Sequence, residues 1–274
     1  MDELLNNPAV QAGVAPFIVA LIAAALLRHS RLLGLAIGVS FFTVILLAIG
    51  FSFDSLTSVR KMIVAGTATT LLVPLLELAG VPARVAVRVM LAAASAAITV
   101  WVIWRLLQQM EARMAWLAGG AAALYVAALV ESGNRLGSDA VRSACGALML
   151  GLGSGALALL GASASLAQVG IAIGAGSGAT LLIQMLGNQR APVGWTLALP
   201  ASVVAGLVGL LAVFTAALPW YCLLPTLATP WATRLVPSAK WPLRLSAVWC
   251  AFAALIPMLL AVVLAWFAAR SSPT

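Results

Sequence analysis

Long apolar runs recur from one end of this 274-residue chain to the other, and short polar stretches separate them. Runs of about 18 or more apolar residues have the length that a transmembrane helix needs. The pattern predicts nine such helices, at about 9–27, 32–51, 62–80, 85–104, 114–130, 143–160, 166–186, 196–218 and 243–268. The length of the chain leaves room for eight to ten. We therefore predict an all-α integral membrane protein, a polytopic bundle that forms one domain over 1–274.

The stretch from 143 to 186 is the richest in small residues, and it is predicted as two helices joined by a turn at 161–165. Glycines four positions apart let helix backbones approach closely, which favours helix association in lipid. The predicted packing positions are Gly151, Gly155, Gly170, Gly174 and Gly178. Gly153 and Gly176 give each helix a second smooth side. This glycine-rich hairpin is predicted to lie at the centre of the bundle.

Residues 219–242 do not fit a plain helix, because five prolines and three tryptophans fall in this window. Proline removes a backbone donor and clashes with the preceding helical turn. Backbone groups without hydrogen bonds cannot face lipid. The segment is therefore predicted either to lie at the membrane interface or to form a broken tenth span.

The ionisable side chains predicted inside spans are Glu77, near the end of the third helix, and Arg88, near the start of the fourth. Such groups cost about 2.5–3.5 kcal/mol at mid-helix, so they usually pair or line a wet cavity. One interpretation is an ion pair between them that fixes the helical hairpin, with Arg84 as a competing partner. The other makes Glu77 a proton or cation site, where Pro74 frees the carbonyl of Thr70.

Two glutamines, Gln168 and Gln184, are predicted at opposite ends of the seventh helix. The simpler interpretation is hydrogen bonding between helices, which contributes about 0.6 kcal/mol on average in membranes. The sharper interpretation is that they line a polar path. The candidate polar site predicted within the membrane comprises Glu77, Arg88, Thr70 and Gln184.

Composition excludes several classes of function. Charged residues make up only 8% of the chain, and the net charge of +8 arises from Lys and Arg scattered at predicted helix ends, where they meet lipid headgroups. Nucleic acid is therefore not an expected partner. His29 is the only histidine and the three cysteines lie far apart, so neither a metal site nor a cofactor is predicted. No catalytic constellation is visible, and we do not predict an enzyme.

Orientation is weakly encoded. With nine spans and an outside N-terminus, eight Lys or Arg residues would lie in the cytoplasm and seven outside. Acidic residues precede the first helix and Arg28 and Arg31 follow it, which favours an outside N-terminus and an inside C-terminus. The string Asn-Pro-Ala-Val-Gln at 7–11 resembles the beginning of bacterial inner-membrane proteins. That resemblance implies a location in the cytoplasmic membrane and no particular activity.

Two functions fit the predicted architecture. The first is a secondary transporter of a small solute, favoured by the proline-broken helices and by Glu77. In size and helix density the chain is similar to the ten-helix drug/metabolite transporters, although no half-to-half repeat is evident. The second is a structural or assembly subunit of a membrane complex, with the smooth glycine faces as docking surfaces for a partner or a second copy. A polar midplane cavity would favour the transporter, and a flat apolar face without a cavity would favour the subunit.

Overall fold

The computed structural model describes residues 7–50, 56–81, 84–188, 193–216, 218–237 and 241–271. These residues form ten helices: α1 (Val10–Leu27), α2 (Leu35–Ile49), α3 (Ser58–Leu78), α4 (Val85–Leu107), α5 (Ala112–Asn134), α6 (Ala140–Leu160), α7 (Ala164–Gly187), α8 (Gly194–Ala216), α9 (Leu224–Leu235) and α10 (Leu243–Ser271). All except α2 and α9 are long and apolar enough to cross a membrane. The predicted all-α polytopic class is confirmed.

The helices run alternately up and down, so their ends gather on two faces. The Glu77 face holds the ends of α1, α3, α5 and α7 and the beginnings of α2, α4, α6, α8 and α10. The opposite face, here the Trp104 face, holds the other end of each of these helices. Several helix ends have their own caps: Asp139 accepts hydrogen bonds from the first amides of α6, and Asn188 ends α7 in a left-handed conformation.

The glycines of α6 and α7 bring the two helix backbones into direct contact. A Cβ atom added at Gly170 would lie 2.5 Å from the backbone nitrogen of Gly155, and one at Gly151 would collide with the backbone of Gly174. Gly178 is looser, because its nearest neighbour would be a side-chain carbon of Leu148 at 3.5 Å. Close backbone approach on this scale is possible only where side chains are absent.

The second smooth sides also have partners. Gly153 faces the Met258 side chain of α10, and Gly176 faces the backbone of Ile37 in α2. The hairpin is nevertheless not the most enclosed part of the bundle. In an 18-residue apolar stretch taken from each helix, 89% of the residues are buried in α8, against 67% in α6 and 61% in α7. The centre is therefore shared by α6, α7 and α8, and α8 packs against α3, α5, α6 and α7.

We interpret the segment that was predicted as interfacial or broken as a broken span, from its contacts with neighbouring helices. After α8 the chain turns back into the bundle, and a short 3-10 helix, Trp220–Leu223, brings Leu223 against Gly209 of α8. Gly209 lies about 10 Å before the end of α8, at 1.5 Å of rise per residue. From that depth α9 continues to the Glu77 face, and the hydroxyl groups of Tyr125 and Thr226 approach to 2.7 Å near its beginning.

The path of this segment places the first and last described helices differently from the nine-helix prediction. Because 218–235 carries the chain back to the Glu77 face, α10 starts there and ends on the Trp104 face, where α1 begins. The nine-helix prediction placed the two ends of the chain on opposite sides of the membrane. The difference arises because the prolines interrupt the helix in 219–242 but the chain still returns to the Glu77 face.

Candidate functional site

The four residues predicted to form one polar site lie in different parts of the bundle. Glu77 contacts α8, Thr70 packs against α2, Gln184 lines a crevice beside α1, and Arg88 lies in a group of arginines. No hydrogen bond or ion pair among the described residues joins any two of the four. Sequence position placed them at similar depths but could not place them around the axis of the bundle.

Glu77 forms the N-terminal cap of α8. Its Oε1 atom accepts a hydrogen bond of 2.6 Å from the backbone N–H of Trp195, the second residue of that helix. Gly194 has a φ of +52°, and a Cβ atom there would collide with the Glu77 carboxylate. A carboxylate at a helix N-terminus satisfies a free amide and interacts favourably with the helix dipole. The structure thus gives Glu77 a specific contact that the spacing of charged residues did not reveal.

The cap belongs to a larger junction on the Glu77 face. The single donor hydrogen of the Thr196 hydroxyl can reach the Val193 carbonyl at 2.6 Å or the Arg31 carbonyl, in the turn between α1 and α2, at 3.3 Å. Gly34, in the same turn, lies against Thr196 so closely that a side chain there would collide. The beginning of α8 is therefore held from α3 and from the α1–α2 turn at once.

The predicted ion pair between Glu77 and Arg88 is wrong. Among the described residues, the ion pairs are Arg135 with Glu131 at 2.8 Å and Arg142 with Asp139 at 3.4 Å. Arg88 is half-buried, and its Nε atom is buried without a hydrogen-bond partner in the part of the chain that the structure describes. Consecutive position in sequence suggested a pair, but the Glu77 side chain is directed towards α8.

Thr70 is a buried contact between α3 and α2. Its methyl group occupies the space beside Gly38, where a Cβ atom would collide with it. Its hydroxyl is buried without a hydrogen-bond partner among the described residues. The hydroxyl of Thr67, one turn earlier in α3, is also buried without a hydrogen-bond partner among the described residues. Thr70 therefore contributes an unsatisfied polar atom to the interior, although at a distance from the other candidates.

Gln184 lies at a crevice of about 300 Å³ on the Glu77 face, between α1, the α1–α2 turn and the end of α7. Arg28, His29 and Leu33 also line it. The Gln184 side chain is only 2% exposed, and neither its amide nitrogen nor its amide oxygen has a partner among the described residues. Arg28 Nε donates to His29 Nε2 at 2.9 Å. An unpartnered buried amide is costly, so this position calls for an explanation.

Below the crevice, α7 carries further polar side chains on the same side. Thr180 and Ser177 lie four and seven residues before Gln184, the spacing that places residues on one helix face. Both are fully buried, and each hydroxyl donates to the carbonyl four residues earlier, at 2.9 Å and 2.8 Å. Each hydroxyl therefore uses its one hydrogen within α7, and its oxygen can still accept a hydrogen bond.

A second group of buried polar atoms was not predicted. It comprises the side-chain amide of Asn134, which lacks partners at both atoms, and the hydroxyls of Ser143, Thr229 and Ser246. Ser143 also lines a small cavity, with room for about one water molecule, beside Ser202 and Pro230. In sequence these residues are single small polar side chains in separate helices, which gave no signal that their polar atoms would be buried.

Lys61 is a buried cation in the first turn of α3. It is 7% exposed, and its ammonium group donates to the Trp101 carbonyl at 3.0 Å and lies 5.2 Å from the centre of the Trp101 ring. The long side chain of lysine reaches from the first turn of α3 to α4. A cation held by a carbonyl and an aromatic ring suits the interface near the Trp104 face.

Comparison with known proteins gives no relative for this arrangement, because no family model, no curated protein and no solved structure matches the chain. The observations above establish a multi-pass α-helical protein that contacts the lipid bilayer, with a polar crevice on its Glu77 face.

Proposed function

We propose that the protein is a secondary transporter of a small solute and that the crevice between α1 and α7 is its solute site. The location that accompanies this proposal is the cytoplasmic membrane of a bacterium, and no catalytic reaction is assigned to the chain. The observation that carries the proposal is Gln184, a buried amide with two unpartnered atoms beside an open crevice.

A bound solute would supply hydrogen-bond partners to the buried Gln184 amide and so offset the free-energy cost of burying it. Its oxygen and nitrogen offer one acceptor and two donors, so they fit a solute that carries both a donor and an acceptor. Arg28 adds a positive charge at the mouth of the same crevice, which favours a solute with a carboxylate. The acceptors of Thr180 and Ser177 lie on the face of α7 that continues from Gln184 towards the centre of the membrane.

An interrupted helix elsewhere in the bundle also supports the proposal. Transporters commonly use interrupted helices, whose irregular backbone is buried in protein or lines a cavity. The break between α8 and α9 is of this kind, since Cys222 and Leu223 in the 3-10 helix are buried. The crevice lies at the helix ends and is not the midplane cavity that would favour a transporter most directly, so the support for the proposal comes from Gln184.

Proteoliposomes that contain the full chain test this proposal. The probes are glycerol and the potassium salts of lactate and glutamate, with valinomycin present so that K⁺ entry balances the carboxylate charge. Each is added in hyperosmotic steps while light scattering follows the re-swelling of the vesicles. We expect re-swelling with a carboxylate probe, and we expect the variant Gln184→Leu to abolish it. Gln168→Leu is the matched control, because it makes the same change at the opposite end of α7 and should leave the rate unchanged.

Two results would count against the transporter. One is equal re-swelling in empty and protein-containing vesicles for all three probes. The other is purification in mild detergent with a fixed stoichiometry of other membrane proteins, which favours the structural or assembly subunit instead. A monomer or homodimer that passes the re-swelling test supports the proposal.

A further inference from the structure

Four arginines from four helices gather on the Glu77 face, away from the crevice. They are Arg88 at the start of α4, Arg135 after α5, Arg142 in the first turn of α6 and Arg234 at the end of α9; we call them the basic cluster. Arg234 lies within electrostatic range of the other three and of Glu131. Glu131 and Asp139 pair with Arg135 and Arg142, so four positive and two negative charges leave the group net positive.

An exposed tryptophan marks the cluster as a membrane-interface site. The Arg234 guanidinium lies 4.8 Å from the centre of the Trp231 ring, and that of Arg135 lies 6.0 Å from it. Trp231 is half-exposed and Leu235 is 86% exposed, so apolar surface adjoins the charges. Tryptophan prefers the headgroup region of a bilayer, and basic pockets between helices bind anionic headgroups there.

The basic cluster also contains guanidinium N–H donors that take part in no ion pair among the described residues. Arg88 and Arg234 are in neither ion pair of the described residues, and the buried Nε atom of Arg88 has no hydrogen-bond partner there. A guanidinium group presents its donors as a planar fork that fits two oxygens of a phosphate. These two arginines therefore have capacity for an anionic ligand that the protein itself does not use.

The same two helices that carry the tryptophan and its arginines also form an apolar groove. It has a volume of about 900 Å³ and is lined by Ala128 and Leu124 of α5 and by Leu227 and Leu224 of α9, and it continues towards the Trp104 face. Ala128 lies seven residues before Arg135, and Leu227 lies seven before Arg234. At 1.5 Å per residue, the groove begins about 10 Å below the charges.

We propose that the basic cluster and this groove together bind one anionic phospholipid. The phosphate is held by Arg88 and Arg234 beside Trp231, and an acyl chain follows the seam between α5 and α9 into the groove. The spacing fits a phospholipid, because its charged headgroup and its apolar acyl chains are covalently joined. The headgroup meets the arginines, and the acyl chain meets the apolar groove that begins below them. The site is separate from the proposed solute crevice and does not depend on it.

Native mass spectrometry of the full chain in detergent tests the proposal, with phosphatidylglycerol and phosphatidylcholine as the two added lipids. Each arginine near the surface contributes about a fivefold preference for an anionic lipid, so we expect about a 25-fold preference in the native protein. Arg88→Gln combined with Arg234→Gln should remove this preference. Arg105→Gln combined with Arg113→Gln loses the same charge on the Trp104 face and should keep it.

A variant with Lys at positions 88 and 234 covers the case in which the glutamine variant does not fold. It keeps both charges and should keep most of the preference. Equal affinity for the two lipids in the native protein, or an unchanged preference in a folded glutamine variant, would overturn the proposal. So would displacement of phosphatidylglycerol by millimolar inorganic phosphate, because that result assigns the cluster to a soluble anion.

Discussion

The Glu77 carboxylate accepts a 2.6 Å hydrogen bond from the backbone N–H of Trp195, so the last turn of α3 closes the first turn of α8. Since α8 is the most enclosed helix of the bundle, this contact fixes the start of its most buried element. The acidic residue that the sequence suggested as a proton or cation site thus has a structural contact of its own.

Removal of the cap should lower stability in steps. Glu77→Ala removes both acceptor and charge, and we expect a loss of about 1–2 kcal/mol in the free energy of unfolding. Glu77→Gln keeps an acceptor oxygen and loses the charge, so a loss of about 0.3–1 kcal/mol is expected. Denaturant unfolding in detergent measures both losses against the native protein. Equal losses for the two Glu77 variants would contradict a capping contact.

Gly194→Ala should be destabilising for two reasons that can be separated. The positive φ costs about 1–2 kcal/mol for a residue with a side chain, and the new methyl group would collide with Glu77. Only the second cost disappears when Glu77 is shortened. In a double-mutant cycle, Gly194→Ala should therefore cost less in the Glu77→Ala background than in the native protein. Strict additivity would show that the two residues do not touch.

Replacement by alanine should have different effects on stability at four glycines, three in the α6–α7 contact and one in α5. Gly151→Ala and Gly170→Ala place a methyl group against helix backbone, which cannot move aside, so we expect losses above about 2 kcal/mol. Gly178→Ala meets only side chains at ordinary contact distance and should be close to neutral. Gly120→Ala has open space and should gain up to about 1 kcal/mol from helix propensity. Thermal unfolding of the four variants gives the ranking.

Gln184→Leu should stabilise the protein while abolishing solute binding. Replacement of an unpartnered buried amide by an apolar group of similar shape removes a desolvation cost of about 1–3 kcal/mol. We expect a higher unfolding temperature in detergent without added solute. A lower unfolding temperature would mean that the amide has a partner in the folded protein. Gln168→Leu, at the half-buried opposite end of α7, should change stability little.

The broken span predicts that both ends of the chain lie on one side of the membrane. Among the described residues, the Glu77 face carries eight Lys or Arg and the Trp104 face carries five: Arg60, Lys61, Arg105, Arg113 and Arg270. Arg190 and Lys240 lie outside the described residues. The positive-inside rule therefore places the Glu77 face in the cytoplasm and both ends outside.

Single-cysteine labelling in intact cells checks this topology, after the three native cysteines have been replaced. A membrane-impermeant maleimide should label Ala9→Cys and Arg270→Cys from outside, and Arg84→Cys only after the cells are opened. Labelling of position 9 but not position 270 in intact cells would restore opposite ends and contradict the broken span.

The sequence was sufficient for what depends on local chemistry. Apolar length predicted the eight helices that are long enough to cross a membrane, but it overestimated α2, which was predicted as a span over 32–51. The glycine spacing selected Gly151 and Gly170, whose backbone contacts the structure shows. What depends on rotation about helix axes was not accessible. The residues around Glu77 in sequence do not indicate that its side chain points to α8 rather than to Arg88. The five prolines of 219–242 do not indicate whether that segment stops at the interface or returns through the bundle.

The helices α2 and α10 differ in length. The helix α2 has 15 residues and is about 22 Å long, whereas α10 has 29 residues and is about 43 Å long. A bilayer core is about 30 Å thick, so one helix is too short and the other too long for it. Most of α2 is covered by α1, α7 and α8, and its large exposed residues, Leu46 and Leu47, lie near its end. Only 33% of the apolar part of α10 is buried, so most of this long helix faces outward and should tilt in the bilayer. The protein should then respond to a change in membrane thickness mainly through the tilt of α10.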